Sequence, residues 1–126
     1  MQLPWASWIT IVTLLMYFWV IANVGRARGK YQVKAPSVDG PPEFLRSLRV
    51  QINTSEQLIF FLPALWLCAY WWSDQVAALG GALWIVGRVV YALAYYRDAA
   101  KRSAGFGIAT LASIGLLLGA VYGLIR

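Results

Sequence analysis

Histidine is missing from the sequence, cysteine occurs once, and five acidic residues stand against eleven lysines and arginines. A lone cysteine rules out an intrachain disulfide, and the setting of Cys68 between Leu67 and Ala69 reads as packing. No metal site is expected. Two long stretches, about Pro4 to Val24 and Ala104 to Ile125, hold no charge at all. The first has no basic segment ahead of it and no small-residue cleavage site, so it is expected to remain in the mature chain. It also lacks an acidic residue, which argues against a small four-helix drug exporter needing one in its first span.

What the sequence does have is apolar and aromatic. Hydrophobic residues make up 60% of the 126 positions, with seven Trp and seven Tyr among them. A soluble domain of this length lacks the interior volume to hide that much apolar surface. The formal charge of +6 could suggest nucleic acid. The cations lie between apolar runs, however, where basic residues set membrane orientation, and nucleic acid is not an expected partner.

The hydropathy pattern predicts an all-α integral membrane four-helix bundle, a single transmembrane domain over residues 1–126 with spans at about 4–24, 45–72, 76–97 and 104–125. About 20 residues suffice to cross the hydrocarbon as a helix, and strands would leave edge groups unpaired in lipid. The second span exceeds that length, so its basic end is expected to project, and Pro63 is expected to kink it. Gly40-Pro41-Pro42 ahead of it cannot continue a helix, but proline suits a new helical start. Gly115, Gly119 and Gly123 recur every four residues in the fourth span and predict a smooth face for close helix contact.

Arg26, Arg28, Lys30, Lys34, Arg46, Arg49, Arg97, Lys101 and Arg102 flank the first and third connections, whereas the second has only Asp74. The bias places connections one and three in the cytoplasm and both termini outside. Trp5, Trp8, Trp71 and Trp72 then fall at the opposite surface as an aromatic belt.

A charged stripe interrupts this apolar plan. Arg49, Asn53 and Glu56 follow offsets i, i+4, i+7 and share one helical face. Trp84, Arg88, Tyr91, Tyr95, Asp98 and Arg102 alternate steps of four and three, again one face if the third helix continues past Arg97. At about 1.5 Å per residue, Glu56 and Arg88 reach similar depths, roughly 14–17 Å from the basic end, and are expected to pair or share a polar network. Such groups either specify helix register or line a cavity. A cavity with donors and excess positive charge suits a small ligand carrying carboxylates, gripped by arginine forks, with Glu56 free for an ammonium group.

The segments GPPEF at Gly40 to Phe44, RVQINTSE at Arg49 to Glu56 and GRVVYALAYYRDAAKR at Gly87 to Arg102 resemble the membrane-associated proteins in eicosanoid and glutathione metabolism, the MAPEG family. The likeness looks closest to the branch of leukotriene C4 synthase and microsomal glutathione transferase 3, and it covers essentially the whole chain. It implies a homotrimer in the lipid bilayer and glutathione as thiol co-substrate. One subunit would hold it through Arg49, Asn53, Glu56, Arg88, Tyr91 and Tyr95, and Arg28 and Gln51 would come from the next. It also implies that Arg102 stabilises the glutathione thiolate, although by position alone Arg102 reads as an ordinary flanking cation.

The implied activity is a glutathione transferase or peroxidase acting on a lipophilic electrophile. The alternative is a non-catalytic lipid-binding or regulatory membrane protein of the same fold. Three positions depart from the leukotriene-forming pattern: Gly29 replaces a second arginine, Gln57 replaces a tyrosine, and the chain ends at Arg126 without a long extension. The short form points to a bacterial inner membrane and to xenobiotic or lipid-peroxide electrophiles.

Overall fold

The computed structural model describes residues 2–126. Four long helices form the protein: α1, Pro4–Tyr31; α2, Pro42–Trp71; α3, Asp74–Arg97; and α4, Ser103–Ile125, the last preceded by a single 3-10 turn at Ala99–Lys101. They pack up and down as a membrane-spanning bundle. By length and composition α1, α3 and α4 can each cross a bilayer. The first half of α2 carries Arg46, Arg49 and Glu56. The helix is nevertheless tied into the interior through Val50, Thr54, Phe61, Leu65 and Cys68.

The helix boundaries follow local chemistry. Pro42 opens α2 at a position whose N–H would have no helical partner. The Ser73 hydroxyl accepts the Val76 N–H at 3.2 Å at the start of α3. At its C-terminus α1 closes on Gln32, which takes the left-handed conformation (φ 56°, ψ 45°) and returns its N–H to the Arg28 carbonyl. The helix therefore runs well past Val24 and carries Arg26, Arg28 and Lys30 on its last turns. Its 28 residues amount to about 42 Å, more than the hydrocarbon alone requires.

Inside the bundle Phe61 lies flat on Trp84, with ring centroids 3.9 Å apart and planes 3° from parallel. The Trp66 indole N–H reaches across to the Thr10 hydroxyl at 3.1 Å. Outside, the surface is greasy: Ile59 is 77% exposed, Leu111 71% and Phe18 69%. Lipid contact accounts for these side chains, since water would leave so large an apolar patch unfavourable. Trp5 and Trp8 are exposed at the same end as Trp71 and Trp72, an end fixed by the contact of the α1 start with Asp74.

α3 and α4 approach each other backbone to backbone at Gly87 and Gly105. A Cβ on Gly87 would lie 2.7 Å from the Ala109 nitrogen, and one on Gly105 would lie 2.6 Å from the Gly87 oxygen and run into the backbone of Tyr91. The glycine face expected farther along α4 is only partly used. Gly119 meets Trp72 and Cys68, and Gly123 meets the backbone of Trp71 and Trp72, but Gly115 faces open space. The third helix also stops earlier than the stripe required. Asp98 is extended (φ −159°, ψ 116°), its carboxylate accepts the Ala100 N–H at 3.0 Å, and the 3-10 turn follows. Arg102 thus leaves the face of α3 and stands at the N-terminal boundary of α4.

Candidate functional site

The two-turn spacing of Arg49, Asn53 and Glu56 on α2 faces the one-turn spacing of Tyr91 and Tyr95 on α3. With Arg102 from the α3–α4 connection and Ile52, these side chains line a single cavity of about 290 Å³ at the basic end of the bundle. The break at Asp98 does not remove Arg102 from the group, because the tight turn brings it back over the end of α3. Its Nη1 donates to the Ala99 carbonyl at 2.7 Å, which ties the guanidinium to the turn that carries it.

A second depression of about 350 Å³ shares Asn53, Tyr91 and Arg102 with the first and continues along α4 past Ser103, Phe106 and Gly107. Arg102 therefore borders two recesses, one rich in cations and phenols, the other running toward apolar helix surface. Sequence reasoning missed Ser103, Phe106 and Gly107. Adjacency to Arg102 was the only signal available for Ser103, and α4 as a whole looked like structural support.

Arg88 lies beneath this cavity and does not line it. Only 1% exposed, it donates from Nη2 to the Thr54 hydroxyl at 2.7 Å and packs its guanidinium over the Tyr91 ring, 4.1 Å from the centroid. Its Nε and Nη1 have no hydrogen-bond partner among the described residues. The expected pairing with Glu56 does not form. Glu56 is exposed on the cavity side, while Thr54, about 200° around the helix from it at 100° per residue, turns inward to Arg88. Equal depth along the bundle did not mean a shared face.

Tyr91 connects the two levels. It is 3% exposed, sits on Arg88, and has the Tyr95 ring at 5.5 Å and the Phe106 ring at 6.2 Å. The buried Asn53 Oδ1 has no partner among the described residues, an acceptor left open at the cavity wall. The two guanidinium groups, one carboxylate, two phenols and one amide can hold carboxylates, an ammonium group and peptide-like amides together.

The remaining two expected residues lie elsewhere in the chain. Arg28 donates from Nη1 to the carbonyls of Ser37 at 2.7 Å and Val33 at 3.3 Å, and stands over the Phe44 ring at 5.1 Å. It braces the first connection. Gln51 is half-buried on α2 and does not line the cavity. Among the described residues no cluster of metal-binding side chains occurs.

Residues 6–122 match the model of the MAPEG family. An uncharacterised protein of Synechocystis sp. is 47% identical over 120 residues, covering 95% of this chain and 88% of that relative. Microsomal glutathione S-transferase 2 of Homo sapiens is 34% identical over 109 residues, covering 86% of this chain and 71% of the relative. Leukotriene C4 synthase of Mus musculus is 32% identical over 126 residues, covering 94% and 84%.

Proposed function

The chain belongs to the MAPEG family, and from that membership we propose that it is a glutathione transferase or peroxidase that turns the glutathione thiol on a lipophilic electrophile. The observation that carries this reading is the convergence of Arg49, Asn53, Glu56, Tyr91, Tyr95 and Arg102 on one cavity. Relatives named for glutathione transfer and leukotriene C4 synthesis support it. Within the family, the three sequence motifs favour the branch of leukotriene C4 synthase and microsomal glutathione transferase 3.

The donor set fits glutathione group by group. Arg49 supplies a fork for a carboxylate and Glu56 an acceptor for the ammonium group, while the open Asn53 Oδ1 takes a peptide N–H. Tyr91 and Tyr95 provide hydroxyl groups and ring faces. Glutathione supplies a nucleophilic sulfur, but a thiol titrating near about 8.5 is mostly protonated at neutral pH. Arg102 favours the ionised form by placing a fixed positive charge beside the sulfur, and it is the residue assigned to the chemical step. The adjoining depression along Ser103, Phe106 and Gly107 gives the electrophile a path from the apolar surface to Arg102. Arg88 is assigned a positioning role through Tyr91 rather than direct contact.

Arg28 and Gln51 lie off the cavity of their own chain, which agrees with a homotrimer in which they complete a neighbour's site. The basic bias of connections one and three supports an orientation with those connections on the cytoplasmic side and both termini opposite, periplasmic in a bacterial inner membrane.

The test is titration of glutathione into the purified protein in detergent, following thiolate absorbance in the ultraviolet, with Arg102→Ala alongside. A saturable thiolate signal that disappears in the variant is the expected result. Binding without thiolate in the parent would reassign the protein as a non-activating binder, and absence of binding would remove glutathione from the account.

A further inference from the structure

The basic end of the bundle holds a further recess, largely apolar with charged residues at its rim, that the proposed reaction leaves unused. It measures about 400 Å³, lies where the end of α1 meets the start of α2 and the end of α3, and is lined chiefly by Trp19, Asn23, Arg26, Lys30, Glu43 and Tyr96. Its wall is held by interlocking bonds. Arg26 donates to the Asn23 side-chain oxygen, Asn23 Nδ2 donates to the Tyr96 hydroxyl at 3.0 Å, and Arg46 Nε donates to the Tyr96 carbonyl at 3.1 Å. Trp19 meets Tyr96 edge-on, with centroids 6.2 Å apart.

Trp19, Asn23, Arg26 and Lys30 occupy one face of α1 at steps of four, three and four. Over about 16 Å of helix that face passes from an aromatic ring, beside the exposed Phe18, to two exposed cations. The polarity gradient is that of a membrane lipid lying alongside: hydrocarbon at one end, an ionic group at the other. Glu43 is the one carboxylate on the lining against Arg26 and Lys30, and Arg46 adds a third cation behind Tyr96. A basic pocket between helices at a membrane boundary has the chemistry to bind an anionic headgroup.

We propose that this recess is a binding site for an anionic phospholipid, its phosphate held by Arg26 and Lys30 and its glycerol and upper chains lying against Trp19. A free phosphate would use the cations but gain nothing from the apolar lower half. The site is independent of the glutathione assignment, since neither Arg26 nor Lys30 belongs to the cavity around Arg102.

The experiment is native mass spectrometry of the full, delipidated protein titrated with phosphatidylglycerol, phosphatidylcholine or inorganic phosphate. Phosphatidylglycerol is expected to fill one saturable site per chain in preference to phosphatidylcholine, without competition from phosphate. Arg26→Gln and Lys30→Gln should each weaken it by roughly fivefold, as loss of one cation near a lipid surface implies. Glu43→Gln should strengthen binding, a change of opposite sign that general damage to the fold cannot imitate. Equal affinity for the two lipids in parent and variants overturns the proposal. So does displacement by phosphate alone, which would mark a free-anion site. A change in subunit number rather than in lipid count would make this face a contact between copies, and would overturn it equally.

Discussion

Asp74, in the first turn of α3, caps the first turn of α1 by accepting the backbone N–H of Ala6 at 2.8 Å and of Trp5 at 2.9 Å. The two carboxylate oxygens satisfy N–H groups that no helical carbonyl can reach, and they place negative charge at the positive end of the α1 dipole. Asp74→Asn should lower the thermal stability of the detergent-solubilised protein by an amount equivalent to about 1–2 kcal/mol. Glutathione affinity should stay unchanged, because the site lies at the other end of the bundle.

Arg102 is predicted to govern rate more than binding. Arg102→Ala should reduce turnover by about 10²-fold, the scale of losing one fixed charge-stabilising group, with a much smaller change in glutathione affinity. Steady-state kinetics with a generic electrophile, read beside direct binding, separate the two effects.

Glu56 is assigned to the ammonium group, which a paired comparison can check. Glu56→Gln should weaken glutathione by about tenfold or more, consistent with loss of one charged hydrogen bond. An analogue without the amino group should bind parent and variant alike. Equal losses for both ligands would sink the assignment.

Among the described residues, Thr54 accepts the one hydrogen bond made by the buried Arg88 guanidinium. Thr54→Val should cost about 1.5–3 kcal/mol, the range for a hydrogen bond to a charged group. Because Arg88 supports Tyr91, the variant should also raise KM for glutathione while leaving the thiolate signal at saturation intact. A stability loss with unchanged KM would show that Arg88 does not position Tyr91.

Two glycines of α4 should respond in opposite ways. Gly105→Ala forces a methyl into the backbone of α3 at Tyr91 and Gly87, and should destabilise by about 1–3 kcal/mol. Gly115→Ala enters open space and should be neutral or stabilising by up to about 1 kcal/mol. Thermal denaturation of the two variants side by side is sufficient.

The four helices were legible because hydropathy reports immersion in lipid directly, and the face of Arg49, Asn53 and Glu56 was legible because 3.6-residue periodicity fixes azimuth within one helix. Across helices neither signal suffices. Glu56 and Arg88 lie at matching depths, yet the rotation of α2 presents Thr54 to Arg88 and turns Glu56 toward the cavity. The end of α3 near Arg97 was legible, but the stripe's continuation to Arg102 was not: steps of four and three run on through Asp98, whose carboxylate caps the following turn and stops the helix. The run of α1 to Tyr31 was hidden because charge marks where hydrocarbon ends, not where hydrogen bonding ends. Gly115 shared its spacing with Gly119 and Gly123 but lacks a neighbour, a fact only packing reveals.

The position of Arg102 on a short turn, outside both flanking helices, sets which changes the protein can absorb. A guanidinium mounted on a joint can be re-aimed by small backbone rotations at Ala99, Ala100 and Lys101, none of which is buried, while the load-carrying contacts of α3 and α4 at Gly87 and Gly105 stay in place. Under the role proposed for Arg102, substitutions in that turn would tune reactivity without drawing on the cohesion of the bundle, and such changes in rate need leave no trace in the melting temperature.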